Sequence, residues 1–136
     1  MEQGIRTQRP GGYLIGFAIA GLMVIVISFA AYMRLLPTWI APGDTDKFFH
    51  AAMGGTLAFL LDAALKRRRA WQSSFAPPLS SVLVLVPLGI DEYFQRFSSV
   101  RSSSIWDFLA DVVGVVVVTF VARRYVFTSL ARGERR

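Results

Sequence analysis

The chain has 136 residues, 54% of them hydrophobic and 18% charged, with a mean hydropathy of +0.47 and a formal charge of +6. That length holds one compact unit, and the composition argues against intrinsic disorder and against a soluble enzyme domain. Cysteine is absent and there is a single histidine, His50, so thiol catalysis, disulfides, thiolate metal sites and any one-chain site of several imidazoles are excluded.

Residues 1–12 read as a short polar tail. From Tyr13 to Met33 the chain contains no Asp, Glu, Lys, Arg or His. At about 1.5 Å per residue, a helix of that length spans about 31 Å, the thickness of a bilayer core. Arg6 and Arg9, this apolar run and Ser28-Phe29-Ala30 also fit a signal peptide. The apolar stretch continues to Leu36, interrupted only by Arg34, which is longer than a signal core needs. A first helix is therefore expected over about 13–35. A turn containing Pro37, Pro42 and Gly43 leads to a second over about 48–65, with His50 near its start and Asp62 near its end. The basic block Lys66, Arg67, Arg68, Arg69 follows, and Pro77-Pro78 opens a third helix over about 78–97. A serine-rich loop precedes the fourth, about 105–126. Its run Val115 to Val118 has strand propensity, but within a long apolar segment a lipid-facing helix fits better. Residues 127–136 form a basic tail.

The expected architecture is all-α: an up-and-down four-helix transmembrane bundle forming one membrane domain over 13–126. Arg6, Arg9, the block 66–69, and Arg123, Arg124, Arg132, Arg135 and Arg136 share one side, against Arg34, Lys47, Arg96 and Arg101 on the other. The asymmetry predicts both termini in the cytoplasm. It also explains the net charge without a nucleic-acid partner.

In such a bundle the polar groups converge on the extracytoplasmic end. Asp46, Lys47 and His50 start the second helix. Asp91, Glu92, Gln95 and Arg96 end the third, and Arg101, Asp107 and Asp111 flank or start the fourth. Asp46 and His50, Asp91 and Gln95, Glu92 and Arg96, and Asp107 and Asp111 are each four apart, which puts each pair on one helix face. Ionisable groups in a membrane span are costly unless paired or wet, so an acidic cleft with one imidazole is expected. Several members also have local explanations. Glu92 with Arg96 can be a helix pair, Asp107 and Asp46 can favour helix starts, Lys47 and Arg101 can snorkel, and Asp62 can pair with Lys66. Gly54-Gly55 and Gly114 suit close helix packing, and Trp39, Trp71 and Trp106 suit interfacial anchoring.

The segments Asp46-Lys47-Phe48-Phe49-His50, Asp91-Glu92-Tyr93-Phe94-Gln95, and Arg101 followed by Asp107 to Gly114 resemble, in order and spacing, motifs of the VanZ-like family of small bacterial membrane proteins. Asp111 stands where many members carry Asn. The resemblance covers about residues 46–114. It implies a four-helix domain of the bacterial inner membrane and an association with teicoplanin-type antibiotic resistance.

The leading functional expectation is a non-catalytic site that binds or shields a cell-envelope or lipid-linked component. Its ligand would be a lipid-linked cell-wall precursor or a glycopeptide, alongside membrane lipids as partners. Lys47, Arg96 and Arg101 would meet phosphate or carboxylate, with Asp46, His50, Asp91, Glu92, Gln95, Asp107 and Asp111 orienting the group. The alternative is an intramembrane enzyme with His50 as general acid or base and Glu92, Asp107 or Asp111 as its partner. A proton-coupled carrier is the third, disfavoured because Asp62 is the lone acid near the other end. No cofactor is predicted and no residue is assigned to a resident metal. The carboxylates could still hold a hard divalent cation, magnesium or calcium rather than zinc. The sequence leaves the oligomeric state open.

Overall fold

The computed structural model describes residues 10–35, 45–98 and 104–126. Among these the fold is all-helical: α1 (Pro10–Tyr32), α2 (Thr45–Ala64), α3 (Leu79–Gln95) and α4 (Ile105–Val121), extended by a π-helical turn over Ala122–Val126. The described residues contain no strand, only an isolated antiparallel bridge between Arg69 and Pro78. Successive helices alternate in direction. Tyr13 at the start of α1 stacks edge-on against Phe59 late in α2. Ser80 at the start of α3 reaches Asp62 at the end of α2, and Ser104 before α4 reaches Glu92 at the end of α3.

The helix ends follow local chemistry. Pro78, with φ −54° and ψ 134°, caps α3, consistent with the restraint proline places on its own φ. Both α1 and α2 close in a Schellman motif. In α1 the amides of Leu35 and Arg34 donate to Ala30 and Ala31. In α2 those of Arg67 and Lys66 donate to Asp62 and Ala63. The left-handed residue at each closure is basic, Arg34 at φ 56° and Lys66 at φ 52°, where glycine is usual.

α2 is the central element and packs on all three other helices, most extensively on α4. The reason is steric. A Cβ on Gly55 would lie 3.0 Å from the Gly114 carbonyl oxygen, and one on Gly114 would collide with the Ala51 backbone. With side chains absent at that point, the two backbones meet directly. The core around the crossing is slender: Leu57, Ala58, Leu61, Val84 and Val115, with Phe17, Ala20, Val24, Leu65, Leu85 and Leu88 packed against it.

Among the described residues two stretches are long and apolar enough to cross a membrane, Gly11–Tyr32 with mean hydropathy 2.6 and Ile105–Tyr125 with 2.1. The polar residues at the two ends of α2 lower its hydropathy, and α3 has only 17 residues. α1 leaves Leu14, Ile15, Ile19, Leu22, Met23, Ile25, Val26 and Phe29 exposed. These exposed side chains cover about half of the circumference, and the other half packs Phe17, Ala20 and Val24 on the core, so α1 is apolar all round, unlike the single apolar stripe of a surface helix in water.

Candidate functional site

The glycine crossing has a chemical consequence one turn away. His50 lies four residues before Gly54 on α2, and Asp111 three residues before Gly114 on α4. The close backbone approach brings His50 Nδ1 to 3.1 Å from Asp111 Oδ2. Gly54 makes the room, since a Cβ there would sit 3.3 Å from Asp111 Oδ1. Asp111 is only 4% exposed, so its partner matters: a buried carboxylate needs a hydrogen-bond donor. With Nδ1–H donating to the carboxylate, the Nε2 lone pair remains for other chemistry.

Nε2 points toward the more open side of the cluster, where Asp46 Oδ1 lies 3.9 Å away. Asp107, in the first turn of α4, completes the group. Asp46, His50 and Asp107 each offer one ligand atom, all within 4.8 Å of one another, and all three side chains are half-buried. A histidine whose far nitrogen is held by a carboxylate, beside two further carboxylates, is an arrangement metal sites use. The donor set of two oxygens and one nitrogen suits a hard or borderline divalent ion.

The remaining expected residues take distinct places. Gln95, 4% exposed, donates from Nε2 to Asp91 Oδ2 at 2.9 Å, the helical pairing its spacing suggests. Glu92 accepts the backbone N–H of Ser104 at 2.5 Å. Ser104 makes no capping bond with its own side chain, so Glu92 anchors the start of α4 from α3. Lys47 is half-buried in the first turn of α2, and Arg96 follows α3, exposed. Arg101 lies outside the described residues, as do Trp39, Pro42 and Gly43.

An open apolar groove of about 760 Å³ runs along α3, lined by Val82, Val86, Gly89, Ile90 and Tyr93 with Phe108 of α4. Gly89 seats the Phe108 ring, whose Cε2 would be 3.1 Å from an added Cβ. From Val82 to Tyr93 the groove covers about 17 Å of helix. Tyr93 and Phe108 at one end of it directly follow Glu92 and Asp107 in the chain.

The other end of the bundle corrects one expectation. Asp62 does not rely on Lys66. It is fully buried and receives Arg123 through two bonds, Nε to Oδ2 at 2.9 Å and a terminal guanidinium nitrogen to Oδ1 at 2.6 Å. Ser80 Oγ donates to Oδ1 at 2.9 Å. Lys66 has already left the helix at φ 52°, so the four-residue helical relation to Asp62 no longer holds. The available signal was the rule that an acid inside an apolar segment needs a cation. The cation lies 61 residues away, in a run that reads as a topological flank. Comparison with family models, with curated proteins and with solved structures found no match, so the VanZ-like resemblance rests on its motif residues between 46 and 114.

Proposed function

We propose that this chain is a four-span bundle of the bacterial cytoplasmic membrane whose His50 end faces outward and binds a lipid-linked cell-envelope component, with both termini in the cytoplasm. The observation that carries the reading is the placing of both features at the start of α4, where Phe108, which lines the α3–α4 groove, directly follows Asp107 of the polar cluster. An amphipathic ligand needs an apolar channel for its chain and polar groups for its head, side by side. The outward apolar surface of α1 supports immersion in lipid, as does the basic asymmetry of the chain.

Asp46, Asp107 and Asp111 would repel a phosphate head group directly. A divalent cation held by Asp46, His50 and Asp107 would offset that repulsion, and Lys47, Arg96 and Arg101 would add cationic contacts. Sequestering such a component would connect the site with teicoplanin-type resistance. The direct test is titration of the detergent-solubilised chain with a polyprenyl phosphate, with and without magnesium. Wild type should bind, while Gly89→Leu, which fills the groove, and Asp107→Asn should each weaken binding about tenfold or more, about 1.4 kcal/mol. Absence of binding by wild type, or indifference to both changes, rejects the reading. In a teicoplanin-sensitive host at matched membrane abundance, wild type should protect and His50→Ala and Glu92→Gln should not.

A second reading is favoured by the Asp111–His50 bond. A histidine oriented by a buried carboxylate, with its other nitrogen directed at the more open side, has the geometry of a general base or acid. On that reading the chain is an intramembrane enzyme acting on the same class of precursor. Conversion of the bound lipid by wild type but not by His50→Gln would select it, and recovery of the lipid unchanged would exclude it.

A further inference from the structure

We propose that the opposite end of the bundle carries a second site, an anion pocket in which Lys66, Arg67, Arg69 and Arg123 receive a phosphate group, borne by a lipid head group or free in solution. These four side chains line a cavity of about 410 Å³, within the range of ligand pockets. They come from three places: the closure of α2, the following loop and the π-helical turn after α4. No carboxylate lines the cavity among the described residues. Asp62 is fully buried and pairs with Arg123. A phosphomonoester carries about two negative charges and three acceptor oxygens, which suit a cavity lined by four basic side chains. Arginine forks bind phosphate with paired hydrogen bonds, and lysine adds a mobile point charge.

Two of the cations, Arg123 and Arg69, are held in place before any ligand arrives. Asp62 grips Arg123 at two atoms, and Arg123 also donates to the Arg68 carbonyl at 3.2 Å. Arg69 donates to the carbonyls of Ser74 at 2.5 Å and Ala76 at 3.2 Å. The loop is closed on itself by Ala70 N–H to Pro77 O at 3.0 Å and Leu79 N–H to Arg68 O at 3.0 Å. Ordering these side chains beforehand lowers the entropy lost on binding.

The backbone gives an independent indication. Lys66 and Arg67 are both left-handed, at φ 52° and 59°, a conformation that is unfavourable for long side chains. A single glycine would close the helix with less strain, as it does in most such caps. Attraction of cations to a helix C-terminus explains one basic residue here. It does not explain two consecutive left-handed ones lining the same cavity as Arg69 and Arg123. The π-helical turn begins at Ala122, immediately before Arg123, and such turns recur at functional sites. The pocket does not depend on what binds at the His50 end.

The test uses the full chain in neutral detergent, titrated separately with inorganic phosphate, with short-chain phosphatidic acid and with phosphatidylcholine. Wild type should bind at least one of the first two and not the third. The Lys66→Gln/Arg67→Gln double variant should lose about tenfold or more of that affinity. Lys66→Gly should weaken binding while keeping or raising thermal stability, because it removes a cation and relieves the backbone together. Arg124→Gln, on the same turn but outside the cavity, and His50→Ala should both bind as wild type. Phosphatidic acid without inorganic phosphate would identify a head-group site, and comparable binding of both would identify a site for phosphate itself. Failure of wild type to bind either, or a double variant with wild-type affinity, overturns the proposal.

Discussion

Replacing Arg123 with leucine would leave Asp62 with Ser80 Oγ as its one described side-chain donor. The carboxylate has no exposure to water, whereas the Arg123 side chain is 22% exposed. Removing one partner of a buried ion pair typically costs about 3–5 kcal/mol, because the remaining charge is buried without compensation. Partial exposure of the guanidinium admits some water, so about 3 kcal/mol is expected. The companion change Asp62→Leu removes the carboxylate, and the double variant Asp62→Leu/Arg123→Leu leaves no uncompensated ion. It should therefore recover about 2 kcal/mol or more relative to the sum of the singles. Denaturant titration of the detergent-solubilised protein, followed by helical circular dichroism, measures all four corners of the cycle. Additive effects, or an Arg123→Leu variant within about 0.5 kcal/mol of wild type, would refute the claim that the buried Asp62 carboxylate depends on Arg123.

Other consequences follow from the packing. Gly114→Ala forces a methyl group against the Ala51 backbone; it should destabilise by about 1–3 kcal/mol or more, and the His50 ring resonances should show loss of the Asp111 hydrogen bond. Thr119 is 3% exposed and its hydroxyl has no hydrogen-bond partner among the described residues. Thr119→Val should thus be neutral or stabilising by up to about 1 kcal/mol, and a clear loss in thermal denaturation would reveal an unrecognised partner. Manganese, used as a paramagnetic probe, should bind wild type and bind Asp46→Asn and Asp107→Asn much more weakly. Equal binding by all three would remove the cation from the His50 cluster.

The helices are readable because charge-free runs and their polar punctuation are local properties of the chain. Gly54-Gly55 and Gly114 read as close-packing residues for a similar reason: small side chains in an apolar helix have few other uses. Spacing groups Asp46 with His50 and Asp107 with Asp111, but it does not say which pairs bond across helices. That depends on how far α4 is rotated about α2, which the glycine contact sets. Glu92 is the reverse case. Its carboxylate meets the backbone of Ser104, and no side-chain pattern announces a backbone partner. Arg123 is less legible still, since a basic residue after an apolar run has a topological explanation that hides a second role.

The glycine crossing lies where a pivot for α4 would have to be. Asp111 lies three residues to one side of Gly114 and Arg123 nine to the other, lever arms of about 4.5 Å and about 13.5 Å. If α4 rocks as a rigid rod, tightening of the His50–Asp111 bond by a few tenths of an ångström swings Arg123 about three times as far in the opposite sense. A phosphate titration followed through the His50 ring resonances would register that motion, and unmoved resonances at saturation would mean the rod does not rock. A contact between two backbones, made where side chains are missing, would then set the ratio in which the two ends of the molecule respond to one another.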